Sequence, residues 1–397
     1  GVIGGVGAVL VFVPVIFAMM FFITFLEGSG YMARAAFVMD RAMHAIGLHG
    51  KSFIPMILGF GCNVPAIYAT RTLENPKDKA LTALLIPLMS CGARLPVYVL
   101  FTAAFFSAYK GTVLWVLYVL GIVMAILMGL VFKRTIFKGE APVFIMELPP
   151  YRMPSFRSLM IHTWEKGKHF LIKAGTYIFA VSILVWFLIN LPWGVENQKD
   201  SYLGKMGQAA APVLQPLGFG NWQAASSLIT GVIAKEIVVG TMGQIYATEE
   251  EAVAEAQEEA LVGAETETQD EAEAGEEEAT PTFSEDIKEI GISFAGAVKD
   301  SVVGVLSSFG ITSISAEEDP EQESLTVEIT KAFTPLSAFA FMAFVLLYMP
   351  CVVVLAAMRH EFTNWKWAGV AFVYQMALAW IVAFLIYQGG KLLGAGV

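Results

Sequence analysis

Long apolar runs are the feature that most restricts how this chain can fold. A bilayer core of about 30 Å takes roughly 20 apolar residues per spanning helix, whose backbone must satisfy its own hydrogen bonds. Six runs reach that length: Val2–Leu26, Ala80–Phe106, Thr112–Phe132, Phe170–Leu191, Phe333–Met358 and Trp367–Tyr387. Charged residues make up only 15% of the chain, whereas a soluble domain is about a quarter charged. The runs therefore predict an all-α polytopic membrane protein.

Charge is distributed unevenly along the sequence. Residues 247–330 contain 24 acidic residues against two lysines, so the remainder of the chain is net basic. The first half of this segment is a low-complexity mixture of Glu, Ala and Thr, which favours a largely disordered insertion. The stretch Lys133–Lys168 contains seven basic residues. Because Lys and Arg concentrate in cytoplasmic loops, it is predicted to be a cytoplasmic loop, with the acidic insertion on the opposite side.

Two other apolar stretches are too short or too interrupted to be plain spans. Ser52–Thr70 contains two prolines and two glycines, and Ala224–Thr241 carries Lys235 and Glu236 near its middle. Non-helical backbone at membrane depth is tolerated only where it is buried in protein or lines a cavity. Both stretches are therefore predicted to be re-entrant hairpins.

The two hairpins lie in matching contexts. A shift of 171 residues places Gly47 on Gly218 and Thr70 on Thr241. Each hairpin follows an amphipathic stretch (Tyr31–Ile46, Ser201–Leu214) and precedes a span broken near its centre (Pro87–Pro96, Tyr348–Cys351), after which comes one unbroken span. The basic loops place the start of the first unit inside and that of the second outside, so we expect an inverted repeat with its substrate site near the midplane. Chance similarity between apolar segments is the alternative.

This pattern divides the chain into seven parts. They are a transmembrane helix (1–26), the first repeat (27–132), a cytoplasmic basic loop (133–169), a transmembrane helix (170–191), the first part of the second repeat (192–246), the acidic insertion (247–330), and the broken helix and last transmembrane helix of the second repeat (331–397).

Long motifs in both halves resemble the membrane domain of the ferrous iron transporter B family. They are FLEGSGYMARAAFVMDR (Phe25–Arg41), GFGCNVPAIYATRT (Gly59–Thr72), PLMSCGARLPVYVLF (Pro87–Phe101) and GVIAKEIVVGTMGQIY (Gly231–Tyr246), together with the break at Pro350 and Cys351. The resemblance covers nearly all of the chain except the acidic insertion, which departs from the short loop expected there.

The resemblance implies a multi-pass permease that brings Fe²⁺ into the cytoplasm across the bacterial inner membrane, with gate repeats like those of nucleoside transporters. It also implies a cytoplasmic GTP-binding domain, which we expect to precede this sequence together with a first membrane helix. Small cytoplasmic accessory proteins and a homo-oligomer are further implied partners, besides the lipid bilayer. Fe²⁺ is expected as transported substrate rather than as a permanently bound cofactor, and no nucleic acid partner is expected.

Two other functional classes stay open at this point. A transporter of an organic solute such as a nucleoside would share the gate repeats, but it predicts Asn, Gln and Ser at the breaks rather than cysteines. A non-transporting membrane scaffold gives no reason for inverted broken helices. Enzymatic activity is not expected, because the one P-loop-like stretch, Ala45–Ser52, has Ala where the motif requires Gly and does not follow a strand.

Candidate metal ligands cluster at the interruptions. Fe²⁺ accepts thiolate, imidazole and carboxylate ligands, and all three cysteines lie at a hairpin tip or a break. The candidate residues are Glu27, Cys62, Asn63, Cys91, Glu236 and Cys351, with the sulfurs of Met89 and Met349 as weaker candidates. The alternatives are packing for the cysteines, pairing with Lys235 for Glu236, and an ordinary helix-end carboxylate for Glu27. Arg94 lies inside a break, where we expect it to pair with Glu or with freed carbonyls.

Overall fold

The computed structural model describes residue 13 and residues 17–137, 150–191, 198–233, 235, 237–246, 320–349 and 351–394. Every regular element among these residues is helical. The helices are α1 (Phe17–Gly28), α2 (Tyr31–Ala45), α3 (Phe53–Gly61), α4 (Asn63–Ala69), α5 (Pro76–Leu85), α6 (Leu95–Phe105), α7 (Lys110–Thr135), α8 (Phe156–Asn190), α9 (Tyr202–Leu214), α10 (Trp222–Ile233), α11 (Ile237–Tyr246), α12 (Pro320–Ala332), α13 (Pro335–Leu347), α14 (Val352–Phe362) and α15 (Trp365–Leu392).

Four helical segments in the described part are long and apolar enough to cross a membrane. They are Pro76–Phe105, Ser107–Thr135, Pro335–Phe362 and Trp365–Leu392. Each matches one of the predicted spans, which confirms a polytopic all-α fold. Of the first predicted span, Val2–Leu26, the described part is mainly α1, and the rest lies outside the described residues.

Two predicted segments have different bounds in the structure. Helix α8 begins at Phe156 rather than Phe170, so the C-terminal part of the predicted basic loop is helical. Its charged residues alternate with apolar ones, which lowers the hydropathy of the stretch without interrupting the helix. The acidic insertion lies outside the described residues as far as residue 319. Its last residues, from Pro320, begin α12, which packs against α6.

The inverted repeat predicted from the sequence is confirmed. In the first unit α2 leads to the hairpin α3–α4, the broken span α5–α6 and the unbroken span α7. In the second, α9 leads to α10–α11, then to α13–α14 and α15. Gly47 and Gly218, which the shift of 171 residues superimposes, adopt the same left-handed conformation, with φ of 84° and 87°. Glycine favours this conformation because it has no Cβ.

Both broken spans begin with the same local signal. Asn75 accepts a hydrogen bond from the Lys77 amide, and Pro76 is the first helical residue of α5. Thr334 forms a capping box with Ser337, and Pro335 opens α13. A polar cap satisfies an amide that the helix leaves unpaired, and proline at the first position lacks that amide altogether.

An aromatic cluster packs the two broken spans against each other. Phe101 of α6 stacks on Phe341 of α13, with ring centroids 4.9 Å apart, and meets Phe333 edge-on at 5.2 Å. Phe219 contacts Phe341 and Phe344 at 5.3 and 5.7 Å. Such offset and edge-on ring pairs stabilise packing beyond the area that they bury. The two repeats therefore share one core.

Segments that the sequence predicts on the same side of the membrane are in contact. On one side, Lys166 pairs with Glu27 at 2.6 Å and the Lys133 ammonium donates to the His44 carbonyl. On the other side, Gln388 donates to the carbonyl of Pro216. We call the first side the basic face. It contains the C-terminal end of α7 and the N-terminal end of α8.

Candidate metal site at the helix breaks

The first break separates α5 from α6 within one span. A 3₁₀ turn at Ile86–Leu88 ends α5, the backbone is extended at Met89 and Cys91, and a second 3₁₀ turn leads into α6. Pro87 and Pro96 cannot donate the backbone hydrogen bonds of a continuous helix, which accounts for the interruption. Cys91 caps the second turn and is a buried free cysteine.

Arg94 holds the end of the first half-helix. Its side chain is fully buried, and its two terminal nitrogens donate to the carbonyls of Met89, at 2.8 Å, and Pro87, at 2.9 Å. The last carbonyls of a helix have no partner within it, and they carry its negative partial charge. Of the two partners expected for Arg94, the structure therefore gives the freed carbonyls.

The tip of the first hairpin meets this break. Helix α3 ends at Gly61, Cys62 is extended, and α4 begins at Asn63. A Cβ added to Gly92 would lie 3.6 Å from the Gly61 carbonyl oxygen, and one added to Gly59 would lie 3.2 Å from the Met89 Cβ. Hairpin and broken span thus approach closely where both are interrupted.

Asn63 presents an unpaired oxygen at this tip. The side chain is only 4% exposed, and its Oδ1 atom accepts no hydrogen bond. An unsatisfied buried acceptor costs roughly 1–3 kcal/mol, and this oxygen atom is available to a ligand. A divalent cation accepts an amide oxygen of this kind.

The second break repeats the first with a lysine in place of the arginine. Helix α13 ends before Tyr348, and α14 begins at Val352 with Cys351 as its capping residue. The buried ammonium of Lys235, from the second hairpin, donates to the carbonyls of Val345 at 3.2 Å and Tyr348 at 3.3 Å. It also lies 4.2 Å from the centre of the Tyr348 ring, a cation–π contact.

Both breaks lie near the same buried lysine. The Lys235 side chain is within electrostatic range of Arg94, Cys91 and Cys351. Helix α14, which follows the second break, also packs against α4 of the first hairpin. The structure therefore brings together both break cysteines and two buried cations, with the Cys62–Asn63 tip alongside the first break.

The remaining predicted residues lie elsewhere or outside the described part. Glu27 is exposed at the end of α1 and paired with Lys166, so its carboxylate belongs to the basic face. Glu236 lies outside the described residues. Met89 and Met349 are buried at the two breaks. Among the residues described, no group of three or more His, Cys, Asp and Glu side chains could hold a metal ion.

Hydroxyl groups near Cys91 were not predicted from the sequence. The Ser90 hydroxyl lies 3.3 Å from that of Tyr98, and Tyr118 interacts with both Ser90 and Cys91. Ser90 lies in the break itself, and this position could have indicated it from the sequence. Tyr98 and Tyr118 lie in apolar helices, where nothing local distinguishes a tyrosine beside a site from one in the core.

Comparisons with known proteins place the chain among metal-transport sequences. It matches the gate family, described as nucleoside recognition, over residues 9–105 and 171–365, and the C terminus of ferrous iron transport protein B over residues 114–166. A Fe(2+) transporter FeoB of Staphylococcus aureus strain MSSA476 is 42% identical over 99% of this chain and 48% of its own length.

More distant organisms give similar matches. The Fe(2+) transporter FeoB of Methanocaldococcus jannaschii is 40% identical over 99% of this chain and 49% of its own length. A fusion protein of Fe(2+) transport protein A and FeoB from Porphyromonas gingivalis is 41% identical over 99% of this chain and 44% of its own length. The chain thus spans about half the length of these relatives. No solved structure matches it.

Proposed function

Because the chain belongs to the FeoB family of ferrous iron transport proteins, as its membrane part, we propose that it forms the route by which Fe²⁺ crosses the bilayer. Transport by the relatives is given by their names, and their sequences cover nearly all of this chain. The observation that carries the proposal is the position of one cysteine at the break of each repeat, Cys91 in the first and Cys351 in the second, where Lys235 donates to the freed carbonyls.

The ligand types suit a transported ferrous ion. Fe²⁺ loses hydration on entering a buried site, and thiolates supply negative charge that offsets this cost. The unpaired oxygen of Asn63 adds a neutral ligand next to Cys62. Transit requires binding that is easily reversed. Ligands that act a few at a time, rather than as one closed cage, meet this requirement.

We extend the proposal to direction and control. The basic face is the cytoplasmic one, following the rule that places Lys and Arg inside, and iron moves toward it across a bacterial inner membrane. A GTP-binding domain, which the length of the relatives leaves room for, gates the cycle. The fusion with Fe(2+) transport protein A in one relative supports a small cytoplasmic accessory partner. The proposal assigns no catalytic step to the described residues.

Iron uptake by the whole gene product in proteoliposomes tests the proposal. Cys91→Ser and Cys351→Ser are each expected to lower the initial rate of radioactive Fe²⁺ uptake by about tenfold or more, as changes to metal coordination commonly do. Leu127→Ser is the control, because this side chain is 48% exposed on α7 and the change places the same hydroxyl outside the breaks.

Uridine uptake by the same vesicles distinguishes a nucleoside transporter from the proposed iron transporter. A nucleoside transporter would accumulate labelled uridine and ignore iron, whereas the proposal expects the reverse. Normal iron uptake by both serine variants would show that the break cysteines are packing residues. Failure of the wild-type protein to accumulate iron under any condition would overturn the proposed function itself.

A further inference from the structure

We infer that Arg94 and Lys235 form an internal positive barrier that keeps Na⁺ and K⁺ out of the iron route. The inference rests on the proposed function and deepens it, since it concerns how the same site selects its substrate. It gives the two cations a specificity-determining role in addition to their structural one as helix caps.

Each cation is buried at the helix break of one repeat. Arg94 is 0% exposed and Lys235 is 2% exposed. Each donates to two backbone carbonyls at the C-terminal end of a half-helix, Arg94 at α5 and Lys235 at α13. They come from different elements, a broken span and a hairpin, so their equivalence lies in the chemistry of the two breaks.

These contacts remove the groups that an alkali cation would need. Na⁺ and K⁺ bind mainly carbonyl and water oxygens, and K⁺ channels use rings of carbonyls for that purpose. At both breaks the carbonyls already accept hydrogen bonds from a fixed cation, and at the second break the Tyr348 ring is occupied by the same ammonium. A monovalent ion therefore finds its usual ligands taken.

The positive charges of Arg94 and Lys235 oppose alkali cations as well. Within the described part of the chain, neither Arg94 nor Lys235 forms an ion pair with a carboxylate. Two positive charges in a low-dielectric interior repel any entering cation. Fe²⁺ differs because it gains strong bonds to thiolates, which alkali ions do not form. Selection thus follows from a barrier that only a thiolate-binding ion can offset.

Alkali leak through the reconstituted whole gene product measures the barrier directly. In Lys235→Met and Arg94→Met, K⁺ and Na⁺ efflux from loaded proteoliposomes should rise by about thirtyfold. This is the effect of removing one charge roughly 8 Å from the ion at an effective dielectric constant of about 20. Lys235→Arg and Arg94→Lys keep the charge and should stay near the wild-type leak.

A half-buried lysine away from the breaks provides the matched control. Lys133 also donates to a helix carbonyl, that of His44 at 3.3 Å, but at the basic face rather than at a break. Lys133→Met should leave the alkali leak unchanged. Size-exclusion profiles and thermal melting establish that each variant is folded.

The outcomes separate this inference from the proposed function. Folded, neutral variants that stay as tight to K⁺ and Na⁺ as the wild type would overturn the barrier, even if wild-type iron uptake is normal. If neither neutral variant folds, the K⁺ leak of the wild-type protein is the test. A K⁺ leak above that of protein-free liposomes would contradict the inference, and a leak at that background would support it.

Discussion

Asn63 is the residue at which the proposed site and the stability of the fold conflict. Its Oδ1 atom is buried without a hydrogen bond, whereas the similar Oδ1 of Asn75 accepts one from the Lys77 amide at 3.0 Å. The first arrangement costs stability and the second adds it. Sequence reasoning placed Asn63 at a hairpin tip, but the missing partner depends on neighbours distant in sequence.

Asn63→Leu is therefore expected to raise the stability of the protein and to lower its Fe²⁺ uptake. Leucine has a similar size and removes the unsatisfied acceptor, which relieves up to about 1–3 kcal/mol, while Fe²⁺ uptake falls. Asn75→Leu, the control, should lower stability by about 1 kcal/mol through loss of the helix cap. Thermal melting in detergent and iron uptake are measured together. A destabilised Asn63→Leu that still transports normally would contradict the assignment.

Gly47 and Gly218 are the residues through which the repeat is most directly tested. Both have positive φ, and an added Cβ would lie 2.4 Å from the Lys133 side chain at Gly47 and 2.2 Å from the Tyr387 ring at Gly218. Alanine at either site should lower stability by at least about 1 kcal/mol. Gly369→Ala, on a helix with open space around it, should be neutral or stabilising. Melting temperatures provide the comparison, and equal effects at all three sites would rule out a conformational requirement.

The two buried cations show which side-chain contacts can be predicted from the sequence and which cannot. For Arg94, which lies inside a helix break, the sequence offered either a Glu or the freed carbonyls, and the structure shows the carbonyls. For Lys235 the sequence offered Glu236, the adjacent residue. The structure gives the ammonium two carbonyls from α13, more than a hundred positions along the chain. Periodicity and local composition carry no information about such a contact.

At the scale of elements, interruptions were predicted more reliably than lengths. Prolines and glycines act locally, so both breaks and the first hairpin tip appear where the sequence places them. The predicted span of helix α8 begins too late, because the hydropathy is lower in the N-terminal part of the helix, where its charged residues lie. Its 35 residues extend about 52 Å at 1.5 Å per residue, well beyond a bilayer core of about 30 Å. Its N-terminal part therefore projects from the basic face.

Labelling of single cysteines tests this projection and the orientation together. In a cysteine-free background, Arg157→Cys should react with a membrane-impermeant reagent only after spheroplasts are permeabilised, because we propose that the basic face is cytoplasmic. Ala264→Cys, in the acidic insertion outside the described residues, should react in intact spheroplasts. Protection of both sites, or reaction of both, would mean that the second hairpin spans the membrane.

At the scale of the whole molecule, a buried carboxylate joins the two repeats at the basic face. Glu361, at the end of α14, is only 3% exposed and accepts from Arg71 at 2.5 Å and from Lys79 at 2.6 Å. Arg71 follows the first hairpin, and Lys79 lies at the start of the first broken span. A rearrangement of one repeat against the other at this face would have to separate these groups.

Glu361→Gln is expected to loosen the association of the repeats. Arg71 and Lys79 are 55% and 22% exposed, so water partly compensates them. The expected loss of stability is about 1–3 kcal/mol, between the values for exposed and for fully buried pairs. Glu74→Gln is the control, since that carboxylate is 89% exposed in its pair with Lys51 and should change stability by less than about 1 kcal/mol. Thermal melting with iron uptake measures both variants. If the two lower the melting temperature equally, Glu361 does not hold the repeats together.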